Sequence, residues 1–199
     1  MANPVATNII KSKAVLWYAP YGEVLPDETT VAAGAAWGGN WARVGYTKKP
    51  TVLVLEEEQY DIEVQELLNS IDRVAIKQMA RFETELAEFT PGYVALLIGG
   101  TVAITAAGSG QAGYEDLSVA SRFLLPKYVF GLEGTRYNSA NVELVWRVFF
   151  IRATLKVGGN IEFSQKSTDY AGIPITINSL DNDTGAAWFR FQRVTAVAT

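Results

Sequence analysis

The 199-residue chain contains no cysteine and no histidine. The first absence excludes disulfides, thiolate metal sites and cysteine nucleophiles. The second removes the usual general base and the commonest metal ligand. Cationic excess is missing too: 21 carboxylates stand against 17 Lys and Arg, which excludes a basic nucleic-acid clamp. The opening MANPVATNIIKSKAV has polar residues where a signal peptide needs an apolar core, so no signal peptide is expected. One long run does lack charge, from Phe89 to Tyr114, but it holds six Gly and one Pro and ends in GSGQAG. That composition points to a buried helix followed by a strand or loop, with no membrane span.

What is present is β-type alternation. In Glu58–Gly100, Tyr60, Ile62 and Val64 alternate with Gln59, Asp61, Glu63 and Gln65. After a tight connection, Val74, Ile76, Ala80, Phe82 and Leu86 share one parity, and Lys77, Arg81, Glu83 and Glu85 the other. This predicts an antiparallel hairpin with one dry and one wet face. A short helix follows, with Thr90 as cap, Pro91 at the first position and Gly99-Gly100 as its end.

Further strands are expected at 13–19, 41–47, 51–55, 127–133, 142–157, 160–166, 173–180 and 188–194, with Gly158-Gly159 as a hairpin signal and Glu56–Glu58 as a solvated charge run. Residues 1–12 read as an arm, and Tyr21–Asn40 and Ala107–Asp116 as long loops. The fold class is therefore all-β: one domain over 1–199, an antiparallel β-sandwich or barrel with long hairpins and one short helix.

No catalytic constellation emerges. Gly108–Gly113 spells GxGxxG, with Glu133 at the spacing of a ribose contact. The residues that follow are too short for the required helix, however, and no strand-helix repeat exists. Seven acids between Pro50 and Asp72 (Glu56, Glu57, Glu58, Asp61, Glu63, Glu66 and Asp72) meet no Lys or Arg. They lie on one strand and its flanks, whereas a glycosidase pair more often comes from separate strands around a cleft. No catalytic, cofactor-binding or metal site is expected, and the chain does not read as an enzyme. A small-molecule-binding β-barrel is the rival from another class, but its interior would be apolar on every hairpin face.

Three stretches in order, VLWYAP through WARVGYT, ETELAEFTPGYVALLIGG, and FSQKSTDYAGIPITINSLDND, resemble the tail tube (major tail) proteins of long-tailed bacteriophages. The resemblance implies a structural virion protein of the tail, assembled in the host cytoplasm. Six subunits would form a ring, each giving two hairpins to the inner wall, and rings would stack into a conduit for double-stranded DNA. Gln59, Asp61, Glu63, Gln65, Lys77, Arg81, Glu83, Glu162, Ser164 and Lys166 would face the lumen, the cations pairing with neighbouring acids. The arm and the two loops would bridge successive rings. Partners would be further copies of the chain, other tail proteins at the tube ends, and DNA passing without specific binding, with no membrane involved. A tube of a contractile injection or secretion apparatus, which shares the fold, is the alternative.

Overall fold

The computed structural model describes residues 14–27, 31–32, 34–63, 71–121, 124–137, 141–161, 172–182 and 185–195. The arm 1–12 lies outside the described residues, as do Val64, Gln65, Glu66, Glu162, Ser164 and Lys166. Ten strands and one helix follow in chain order: β1 (Val15–Pro20), β2 (Ala42–Arg43), β3 (Val52–Ile62), β4 (Asp72–Leu86), α1 (Pro91–Ile98), β5 (Thr101–Thr105), β6 (Tyr114–Ser118), β7 (Tyr128–Tyr137), β8 (Glu143–Val157), β9 (Ile173–Ser179) and β10 (Phe189–Arg193). The fold is mostly β, antiparallel throughout, with one short helix.

Eight strands make one sheet in the order β2-β1-β7-β8-β9-β4-β3, with β10 also paired to β8; β5 and β6 form a separate hairpin. The long strand β8 organises this sheet. Its Glu143–Ala153 part pairs with β7 on one edge, while its other edge is divided between β10 (Trp146–Phe150) and β9 (Ala153–Val157). The sheet curls: Thr47 bridges to Leu86, which brings the segment after β2 against the end of β4. No closed barrel forms among the described residues.

Alternation along the strands builds two cores. Leu16, Phe82, Phe130, Val148, Phe150, Ile175 and Ile177 belong to the larger one, together with Leu96 and Leu97 of α1. At its centre Phe82 stacks on Phe150, with ring centroids 4.0 Å apart. α1 has the boundaries expected of it. The Thr90 hydroxyl accepts from Tyr93 N at 3.3 Å, and Gly99 ends the helix at φ 77°. On the other face of β1, β7 and β8, Trp37 and Trp41 pack on Trp17 and Phe149.

Three local expectations are corrected. The 51–55 strand and the Glu56–Glu58 charge run are one strand, β3; its middle is exposed on both faces, so no apolar alternation marks it. The 41–47 strand shrinks to Ala42–Arg43, because Gly45 takes φ 100°. A Cβ there would lie 2.7 Å from the Tyr93 hydroxyl, a group pushed up to about 12 by burial and by its hydrogen bond to Glu88. The described partner of the end of β8 is β9, whose Ile173, Ile175 and Ile177 face the core, while the strand expected at 160–166 falls almost wholly outside the described residues. The far end of Ala107–Asp116 belongs to β6, so the glycine-rich stretch is the tip of the β5–β6 hairpin, closed by two Gly108–Gln111 backbone hydrogen bonds.

The long loop after β1 is also not free-standing. Between Val31 and Trp41 it lies on the sheet. Its anchor is the carboxylate of Glu133, 2 % exposed, which accepts from Gly34 N at 2.9 Å, Trp37 Nε1 at 3.0 Å and Arg147 Nε at 2.8 Å. Arg147, 1 % exposed, also donates to Val31 O at 2.8 Å. The described part of the loop is thus held by contacts within its own subunit.

Candidate functional site

Residues directly opposite in an antiparallel pair share a face, so the register defines the surfaces. In β4 and β9, Phe82–Ile177 and Leu86–Ile173 face the core, while Arg81–Asn178, Glu83–Thr176 and Glu85–Pro174 face away from it. Thr154 and Lys156 of β8 lie opposite Asn178 and Thr176 on this second face. Val54 and Val52 of β3 lie opposite Arg81 and Glu83. Two hairpins, β8–β9 and β3–β4, thus form four consecutive strands whose outer face is largely polar.

The charges on this face neutralise one another locally. Arg81 sits between Glu56, at 2.7 Å, and Glu83, at 2.5 Å. The hydrogen bond to Glu83 pushes the Arg81 guanidinium further above its ordinary value, and Glu56 adds to this against the effect of burial. Glu85 pairs with Lys49 at 2.5 Å and Lys48 at 3.4 Å, and the Lys49 hydrogen bond leads in holding its carboxyl below the usual range. Lys77 lies opposite Glu58.

The hairpin β3–β4 does not keep one wet face along its length. Glu58 pairs with Lys77, but Gln59 pairs with Ala75, so Ile76 is an extra residue in β4. Such a bulge interrupts the alternation of the strand that carries it and leaves the partner strand regular. The side chains follow this geometry. Glu57, on the core-side face opposite Gln78, accepts from Gln78 Nε2 at 2.8 Å and also from Gln59. Both bonds pull the Glu57 carboxyl below its ordinary value, that from Gln59 the more strongly.

The residues expected to share one wet face therefore divide. Lys77, Arg81 and Glu83 lie on the outer face with Glu56 and Glu58. Gln59 and Asp61 lie on the core-side face, beyond the end of the core, and Asp61 pairs with Arg73 at 2.6 Å. Glu63 is exposed one residue past β3. Gln65, Glu162, Ser164 and Lys166 lie outside the described residues. The outer-face contribution of Thr154, Lys156, Thr176 and Asn178 was missed, although the alternation of Thr176 and Asn178 with Ile175 and Ile177 is plain in the sequence.

Glu133, which spacing would have placed on a ribose, is the buried anchor of the loop described above. Among the described residues no group of three or more acidic side chains could hold a metal ion, and no helix is long and apolar enough to cross a membrane. No curated protein matches the chain. The model of a family described as phage tail tube protein matches residues 1–196.

Proposed function

The chain belongs to the phage tail tube protein family, and we propose that six copies close into a ring and that rings stack into the channel through which double-stranded DNA leaves the virion. The family is structural, which implies a non-enzymatic subunit of the virion tail that assembles into a tube. One observation carries the finer reading: β8, β9, β4 and β3 form one stretch of sheet with a largely polar outer face and unsatisfied ends. Among the described residues β3, 11 residues long, ends the sheet. At the other side, β7 pairs with β8 only as far as Ala153, so Thr154–Val157 have no strand on that edge among the described residues. Such edges invite pairing. Joining β3 of one subunit to the Thr154–Val157 edge of the next continues the sheet around a ring.

In this arrangement the outer face becomes the channel wall, with Lys77, Arg81, Glu83, Glu56 and Glu58 toward the axis. The wall must not grip phosphate, because every available cation adds salt-sensitive affinity. Arg81 between two carboxylates meets that need. The tip of the β5–β6 hairpin and the ledge formed by the 21–40 loop are the elements assigned to ring stacking, with the arm 1–12. A small-molecule barrel fits less well, since Phe82, Phe130 and Phe150 fill the interior.

Sedimentation and negative-stain microscopy of the purified chain test the reading. Rings or tubes that grow with concentration are expected, whereas a strictly single-chain species with intact β circular dichroism would contradict it. Glu56→Gln with Glu83→Gln frees Arg81 toward the axis. Tubes of this variant are expected to retain duplex DNA at low salt and release it as salt rises. Tubes indifferent to DNA at every salt concentration would move Arg81 off the channel wall.

A further inference from the structure

The bulge at Ile76 changes which face of the hairpin is apolar. Near the body of the subunit, Leu53 and Leu55 share the core face with Phe82 and Ala80, and the outer face is charged. Past the bulge, Tyr60 pairs with Val74 and Ile62 with Asp72, and these residues continue the face of Glu56 and Glu58, away from the core. The polar set Gln59, Asp61 and Arg73 takes the core side. Tyr60, Val74 and Ile62 are 63 %, 46 % and 39 % exposed, and Ile76 beside them is 59 % exposed. β9 covers β4 only over Arg81–Leu86, so among the described residues Asp72–Met79 have β3 as their single strand partner. Among the described residues no core of this subunit lies against the apolar end of the hairpin, although its sequence is patterned as though one did.

We propose that this outer apolar end, Tyr60–Ile62–Val74, docks on a second copy of the chain, against the strand β10 around Phe191. The proposal rests on the reading of the chain as a self-assembling tube subunit. Charge selects the partner surface. The apolar end is rimmed by Asp72 on its own face and by exposed Glu63 just past the strand, while Glu56, paired with Arg81, and Glu58, opposite Lys77, lie toward the body of the subunit. A complementary surface must offer an exposed apolar centre with cations beside it. β10 has that character: Phe191 is 51 % exposed, exposed Arg193 lies two residues on along the same face, and among the described residues the strand is paired to β8 alone. Burying three or four such side chains against an aromatic gives an interface a dry centre, while the acid–Arg rim fixes partner and register.

Two measurements test this. Tyr60→Ser, Ile62→Ser and Val74→Ser together are expected to leave the melting of the single subunit unchanged and to raise the protein concentration needed for assembly by roughly tenfold or more. Because the chain has no cysteine, a Val74→Cys subunit mixed with a Phe191→Cys subunit gives an unambiguous thiol cross-link. A cross-linked pair from assembled material is expected, and it supports the contact even if the triple variant folds poorly. Assembly of a folded triple variant at the wild-type concentration overturns the proposal and leaves the tube reading standing. So does a mixture that assembles without cross-linking. Wild-type protein that never self-associates overturns both.

Discussion

Glu133→Ala is expected to destabilise the subunit by about 3–5 kcal/mol. The cost does not come from the lost attraction alone. Glu133 and Arg147 are 2 % and 1 % exposed, and removing the carboxylate leaves a guanidinium buried without its counter-charge. Arg147 has little spare capacity, since its Nη1 already has no hydrogen-bond partner. The same substitution removes the acceptor for Gly34 N and Trp37 Nε1, which frees the loop that covers Trp17 and Phe149. Two readouts should therefore move together, urea unfolding and the tryptophan fluorescence of the folded state. Glu133→Gln keeps the volume and one acceptor oxygen, and should fall between wild type and alanine. A change below about 1 kcal/mol for Glu133→Ala, the level of an exposed pair, would mean that the loop is not held in this way.

Phe82→Ala is expected to cost about 3–5 kcal/mol, the range for a large buried aromatic whose cavity the surroundings only partly refill. Phe82 is fully buried, lies opposite both Leu53 and Ile177, and stacks on Phe150. It is the root from which the β3–β4 hairpin leaves the body of the subunit. Loss of its ring should raise proteolysis within 55–76 ahead of global unfolding, because among the described residues the outer half of the hairpin pairs only with itself. Val74→Ala, eight residues further out along β4 and exposed, should stay within about 0.5 kcal/mol. Equal losses at the two positions would contradict the picture of a rooted base and a projecting end.

How much of this was legible depended on how local each cause was. α1 was readable because its signals are adjacent in sequence: Thr90 caps, Pro91 starts, and Gly99 stops at positive φ. β9 was readable from Ile173, Ile175 and Ile177, and β8 from an apolar run rich in β-branched and aromatic residues, followed by the Gly158-Gly159 turn signal. The bulge was not readable. From Val74 to Leu86 the even positions of β4 look like one dry face, and only the pairing with β3 reveals that Ile76 is an extra residue. The reversal of apolar parity between Leu55 and Tyr60 in β3 was the one trace of it in the sequence. The Glu133–Arg147 pair was hidden for a related reason. A charge within a strand reads as solvent-facing until a distant segment covers it, and Trp37 and Trp41 sit in a glycine-rich stretch with no periodicity of their own. The residues expected on one wet face are therefore, where described, divided between two faces.

The central claim is that the outer face of β8–β9–β4–β3 lines a channel. A reconstruction of the assembled tube, at a resolution that separates strands, tests it most directly. Arg81, Glu83, Thr176 and Lys156 should point to the tube axis, α1 should lie away from the lumen on the other side of the sheet, and β3 of each subunit should run beside Thr154–Val157 of the next. A tube in which α1 or the Trp37–Trp41 ledge faces the axis, with Arg81 and Glu83 on the exterior, would contradict the account.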